Sequence, residues 1–118
     1  MNGLRVLIVE DEIPAAMLVE DAVETGGHTV AALATNIASA MVAASTGEFD
    51  VALLDVNLHG QKAHALPVIL QRRGKPFAFV TGYGEAGVLS EFADAPIVHK
   101  PFAADEVWAA LVTLSGRI

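Results

Sequence analysis

Short apolar runs punctuate this chain, and four of them end on residues with chemistry of their own. LRVLIV runs into Glu10 and Asp11, VALL into Asp55, FAFV into Thr81 and PIVH into Lys100. A short continuous apolar run marks a strand covered on both faces, as in a parallel sheet flanked by helices. The pattern predicts strands over 4–9, 29–34, 51–55, 77–81 and 96–99. The stretches between and after them read as helices over 13–25, 37–45, 63–73, 85–92 and 103–115. Punctuation supports these boundaries: Gly26-Gly27 stops the first helix, Asn36 is placed to cap the second, and Gly74 follows the third as a C′ residue.

Five strand–helix units with right-handed crossovers leave few topologies. The expected fold is α/β, a flavodoxin-like doubly wound five-stranded parallel sheet of order 2-1-3-4-5, with five helices. In that order the first and third strands are neighbours at the topological switch point, and ligands bind beyond the carboxyl ends of the strands. Glu10, Asp11 and Asp55 fall at that crevice, with Thr81 and Lys100 arriving from the next two strands.

Composition narrows the class. At 118 residues and 53% hydrophobic, the chain reads as one domain over 1–118 with a substantial core. Seven Lys+Arg against 14 Asp+Glu give a net charge of -7, which disfavours direct nucleic-acid binding. The one basic cluster, Arg72, Arg73 and Lys75, closes a helix, where positive charge complements the helix dipole. No apolar run approaches the roughly 20 residues that span a bilayer, and the N-terminus lacks a signal-peptide pattern. With no cysteine there is no disulfide frame, so a cytoplasmic protein without a membrane partner is expected.

The polar residues at the strand ends suggest a phosphoryl site. Carboxylates held together cannot all ionise cheaply without a counter-charge, and Mg²⁺ is commonly held by one or two carboxylates with waters and phosphate oxygens. Capping of the first helix by Glu10, Asp11 and Glu12 would account for Asp11 alone, not for Asp55 and Lys100 on other strands. A carboxylate placed as Asp55 is can attack phosphorus and form an aspartyl phosphate. A metal on Asp11 and Asp55, the Lys100 ammonium and the Thr81 hydroxyl would then neutralise and hold the transferred group. The Lys100-Pro101 bond is a candidate for the cis form.

These motifs resemble the receiver domain of two-component response regulators over essentially the whole chain: VLIVEDE with Glu10-Asp11, VALLDVNL with Asp55, FAFVTGYG with Thr81 and VHKPF with Lys100-Pro101. The resemblance implies phosphorylation of Asp55 by a sensor histidine kinase or a histidine phosphotransfer protein. It also implies Mg²⁺ on Asp11, Asp55 and the backbone carbonyl of Asn57, with Glu10 holding the metal through water. FAFVTGYG further resembles stand-alone receivers with a Phe-Ala-Thr-Gly signature, common in alphaproteobacteria, with Val80 in place of the usual alanine.

Three features depart from the family pattern. Ile97 stands three residues before the lysine, where receivers usually carry a Tyr or Phe that reports phosphorylation; Tyr83 is a candidate substitute gate. His59 replaces a common proline after Asp55, either as a solvated loop residue or as a modulator of dephosphorylation. TGYGEAG brings three glycines to the fourth helix, which predicts a short, mobile element there. His28, His64 and His99 form no convincing zinc site, and Trp108 is expected to pack in the core.

The expected function is a single-domain response regulator, monomeric or weakly dimeric, without enzymatic turnover of its own. It would signal to a downstream protein by a surface change or act in a phosphorelay, with no output domain expected after the receiver, where the sequence closes on SGRI. One rival is a receiver-like binding module that is never phosphorylated. The other is an aspartyl-nucleophile phosphatase, which typically needs a second aspartate two residues after the nucleophile, where this chain has Asn57.

Overall fold

The computed structural model describes residues 3–55, 57–58, 61–62, 64–82 and 92–118. The strands are β1 (Arg5–Val9), β2 (Thr29–Ala34), β3 (Val51–Leu54), β4 (Asn57–Leu58), β5 (Gln61–Lys62), β6 (Phe77–Thr81) and β7 (Ile97–His99). The helices among the described residues are α1 (Ile13–Thr25), α2 (Ile37–Thr46), α3 (Ala65–Arg72) and α4 (Ala104–Ser115). The main sheet runs β2-β1-β3-β6-β7, all parallel, which is the 2-1-3-4-5 order expected. A helix expected over 85–92 lies, apart from Phe92, outside the described residues.

Alternation along each strand splits the core into two layers. Leu7, Val9, Ala52, Leu54, Phe77 and Phe79 face the α2–α3 side, where Phe77, Phe79 and Phe92 meet edge to face or tilted. Val6, Ile8, Val51, Leu53, Ala78 and Val80 face the other side, against α1 and α4. Each fully buried large side chain is worth roughly 1.5–3 kcal/mol. A one-residue slip would exchange the two faces of a strand, so burial fixes the register.

Local signals set most boundaries. Pro14 opens the first turn of α1. The Asn36 side chain accepts a hydrogen bond from the Ser39 N–H at 2.8 Å and caps α2 as expected. Gly74 follows α3 with φ +68, a conformation that suits glycine. α3 begins at Ala65, later than the 63 expected.

Four expectations are corrected. β2 is an edge strand with mostly exposed or half-exposed side chains, although its apolar run reads as doubly covered. The antiparallel pair β4–β5 follows Asp55 where only a loop was expected. Trp108 lies on the α1–α4 seam, 38% exposed, with its indole Nε1 donating to the Ala22 carbonyl at 2.8 Å. Arg73 serves α2 rather than its own helix: its guanidinium donates to the carbonyls of Ala44 and Gly47 at 2.7 and 2.9 Å. Lys75 donates to the Phe49 carbonyl at 2.8 Å, and both cations lie over the Phe49 ring. No described helix is long and apolar enough to cross a membrane.

Candidate functional site

Backbone pairing carries on one step past the strand ends and fixes the residues of the site. Val9 pairs with Leu54 across β1 and β3, so Glu10 and Asp55 emerge side by side. The Asp55 N–H donates to the Val9 carbonyl at 2.9 Å, and the Glu10 N–H to Ala34 at 3.0 Å. Thr81 pairs with His99 across β6 and β7, and the Lys100 N–H donates to the Thr81 carbonyl at 2.8 Å. The Lys100-Pro101 bond is cis.

Glu10, Asp55 and Thr81 are the buried polar residues among those described. Lys100 extends its ammonium among the carboxylates. Its Nζ lies 2.5 Å from Glu10 Oε1, 3.0 Å from Asp55 Oδ2 and 3.6 Å from Glu12 Oε1. The second oxygens are also held: Glu10 Oε2 accepts from the Glu12 N–H at 3.1 Å, and Asp55 Oδ1 from the Asn57 N–H at 2.9 Å. Oxygens of Glu10, Asp11 and Asp55 all lie within 4.8 Å of one another.

Burial and the neighbouring charges shift both Glu10 and Lys100. Burial pushes the Glu10 carboxyl above its usual range; hydrogen bonds from Lys100 and the Glu12 N–H oppose the shift, and the neighbouring Asp55 charge adds to it. Burial alone would lower the Lys100 pKa, but hydrogen bonds to Glu10 and Asp55 outweigh it and hold the ammonium well above its ordinary value. Lys100 is thus a fixed cation set against the clustered carboxylates Glu10 and Asp55. The all-oxygen donor set of Glu10, Asp11 and Asp55 fits a hard divalent cation such as Mg²⁺. Two atoms are left over: among the described residues, the buried Thr81 Oγ1 and Asn57 Oδ1 have no hydrogen-bond partner. An unmet buried polar atom costs about 1–3 kcal/mol, and an absent ligand is one standing explanation for such an atom.

The sequence-predicted residues Glu10, Asp11, Asp55 and Lys100 are thus brought together, with Thr81 at the end of the adjoining strand. Ile97 lies on the outer strand β7, 40% exposed and free of any aromatic role. Tyr83 and His59 lie outside the described residues. Sequence reasoning missed the direct Glu10–Lys100 ion pair and the approach of Glu12 to the same ammonium. A third acidic residue directly after Glu10-Asp11 was the available signal.

A model of the response regulator receiver domain matches residues 6–112. Transcriptional regulatory protein TcrA of Mycobacterium tuberculosis is 35% identical over 124 residues, covering 99% of this chain and 48% of that protein. The chain therefore spans about half the length of the curated relatives it matches. The solution structure of SdrG from Sphingomonas melonis is 38% identical with a TM-score of 0.85, covering 96% of this chain and 97% of that one. PhyR of Bartonella quintana, described as an anti-anti-sigma factor, is 31% identical with a TM-score of 0.78, covering 97% of this chain and 50% of that one.

Proposed function

The chain belongs to the response regulator receiver domain family of two-component signalling, and from that premise we propose that Asp55 is its phosphoacceptor. The observation that carries the reading is Asp55 itself: a buried carboxylate with one oxygen on the Asn57 N–H and the other on the Lys100 ammonium. In the proposed reaction an Asp55 oxygen attacks the phosphorus of a phosphohistidine as the P–N bond breaks. The bonding pair returns to the imidazole, which takes up a proton. Oδ2, beside Lys100, is the proposed attacking oxygen, because the transferred group then arrives next to a fixed ammonium. The Thr81 hydroxyl, lacking a partner among the described residues, would donate to a phosphoryl oxygen.

Mg²⁺ would be held by Asp11, Asp55 and the Asn57 carbonyl, with Glu10 acting through water, and when bound it supplies neutralising charge for the phosphoryl oxygens. Holding Asp55 in place is the work of the chain's own backbone, through the Val9 carbonyl and the Asn57 N–H.

The proposed donor is a sensor histidine kinase or a histidine phosphotransfer protein, and the proposed setting is the cytoplasm. Residues 1–118 would act as a single receiver domain that accepts the group rather than turning over a substrate. The signal would pass to a protein target, a route supported by the name of the Bartonella quintana relative. Intact mass after incubation with Mg²⁺ and a small acyl phosphate tests the reading. A phosphate adduct on the wild type and none on Asp55→Asn is expected; an equal adduct on both would sink the assignment.

A further inference from the structure

Glu12 occupies the N-cap of α1, yet its side chain makes no capping hydrogen bond. Glutamate is not among the preferred N-cap residues, which present an oxygen on a short stem to the first free N–H groups. Its backbone is nevertheless anchored, with the N–H on Glu10 Oε2 at 3.1 Å and the carbonyl accepting from the Ala16 N–H at 2.8 Å. From that fixed base the carboxylate comes within 3.6 Å of Lys100 Nζ. Glu12 is 68% exposed, whereas Glu10 and Asp55 are 2% and 8% exposed. Lys100 is therefore approached both by buried carboxylates and by a solvent-exposed one.

We propose that Glu12 is a positioning residue that gates Lys100 and thereby discriminates against small anionic phosphodonors. The proposal rests on the phosphoacceptor reading above. A phosphoryl group arriving at Asp55 Oδ2 draws on the same Lys100 ammonium that Glu12 approaches. Glu12 competes with the incoming oxygens for that ammonium, and its solvent-exposed negative charge lies beside it. Both effects slow a small dianionic donor. Both are also screened by salt, because Glu12 is solvated.

Two variants and two readouts test this. Glu12→Gln keeps size and removes charge; Glu12→Asp keeps charge but draws the carboxylate back by one methylene. The first readout is the exchange of the Lys100 ammonium protons, followed by NMR. The second is the rate of phosphorylation by a small acyl phosphate at low and high salt. Glu12→Gln is expected to speed ammonium exchange and raise the low-salt phosphorylation rate about two- to fivefold, the range set by an exposed ion pair. The gain should shrink at high salt. Glu12→Asp should also free the ammonium, with a rate between the two. Unchanged exchange in Glu12→Gln, or Glu12→Asp indistinguishable from wild type in both readouts, would overturn the gate. If neither wild type nor Glu12→Gln takes up phosphate from the acyl phosphate or from a phosphohistidine protein, the phosphoacceptor reading fails, and the exchange measurement still decides whether Glu12 holds Lys100.

Discussion

Replacing Lys100 with methionine would leave the buried Glu10 and Asp55 carboxylates without their shared cation. Removing one partner of a fully buried ion pair costs about 3–5 kcal/mol, because a charge is stranded away from water. Two features of this site reduce that figure. The Lys100 side chain keeps 18% of its surface exposed, so water reaches the gap. Glu10 already has a raised pKa and can escape the penalty by taking up a proton. We therefore expect a loss of about 2–3 kcal/mol near pH 7, or on the order of 10 °C in Tm for a domain of this size.

The sign with pH follows from both groups. Lys100 has a folded-state pKa above its unfolded value, so its contribution is fully present at neutral pH and is lost only as pH rises through that raised value. Glu10 is also raised, so proton uptake favours the folded state at low pH, and that advantage fades as pH rises through its folded pKa. Removing Lys100 raises Glu10 further. The deficit of Lys100→Met should thus be small at about pH 4–5 and grow toward pH 7–8. Urea unfolding of both proteins across that range measures it. A deficit that is constant with pH, or one that grows on acidification, would refute the counter-charge reasoning.

Other expectations concern single residues. Asp11→Ala should weaken Mg²⁺ binding by tenfold or more, as a calorimetric titration would report; unchanged affinity would remove Asp11 from the metal set. Gly26→Ala should destabilise the fold by about 1–3 kcal/mol, since the new Cβ would lie 2.7 Å from Cδ1 of the Trp108 indole. Thermal unfolding reads that change, and a neutral result would mean that the α1–α4 seam yields easily. Arg73→Met should cost about 1–2 kcal/mol by freeing the Ala44 and Gly47 carbonyls, with an unchanged urea midpoint counting against the cap.

The sheet was legible because burial on two faces leaves an uninterrupted apolar run, and the site was legible because each run stops on a charged or hydroxyl residue. Asp55 and Lys100 could be placed at one end of the sheet from topology together with their positions at strand ends. What stayed hidden was set by partners distant in sequence. Arg73 meets carbonyls 29 and 26 residues away, and nothing near it in the chain points to α2. Trp108 carries the helical spacing of a core residue, but Gly26 leaves a shelf on α1 that holds the indole near the surface. β2 has an apolar composition, and only its place at the sheet edge leaves its side chains exposed. The pair β4–β5 consists of two-residue strands, too short for any periodicity to register.

Whether Asp55 carries the phosphoryl group is read by locating the acyl phosphate. Borohydride reduces an aspartyl phosphate to homoserine, and peptide mapping then reads the converted position. Conversion is expected at Asp55 alone, and only after incubation with a phosphodonor and Mg²⁺. Conversion at Glu10 or Asp11, or a phosphorylated chain with Asp55 intact after reduction, would contradict the assignment to Asp55.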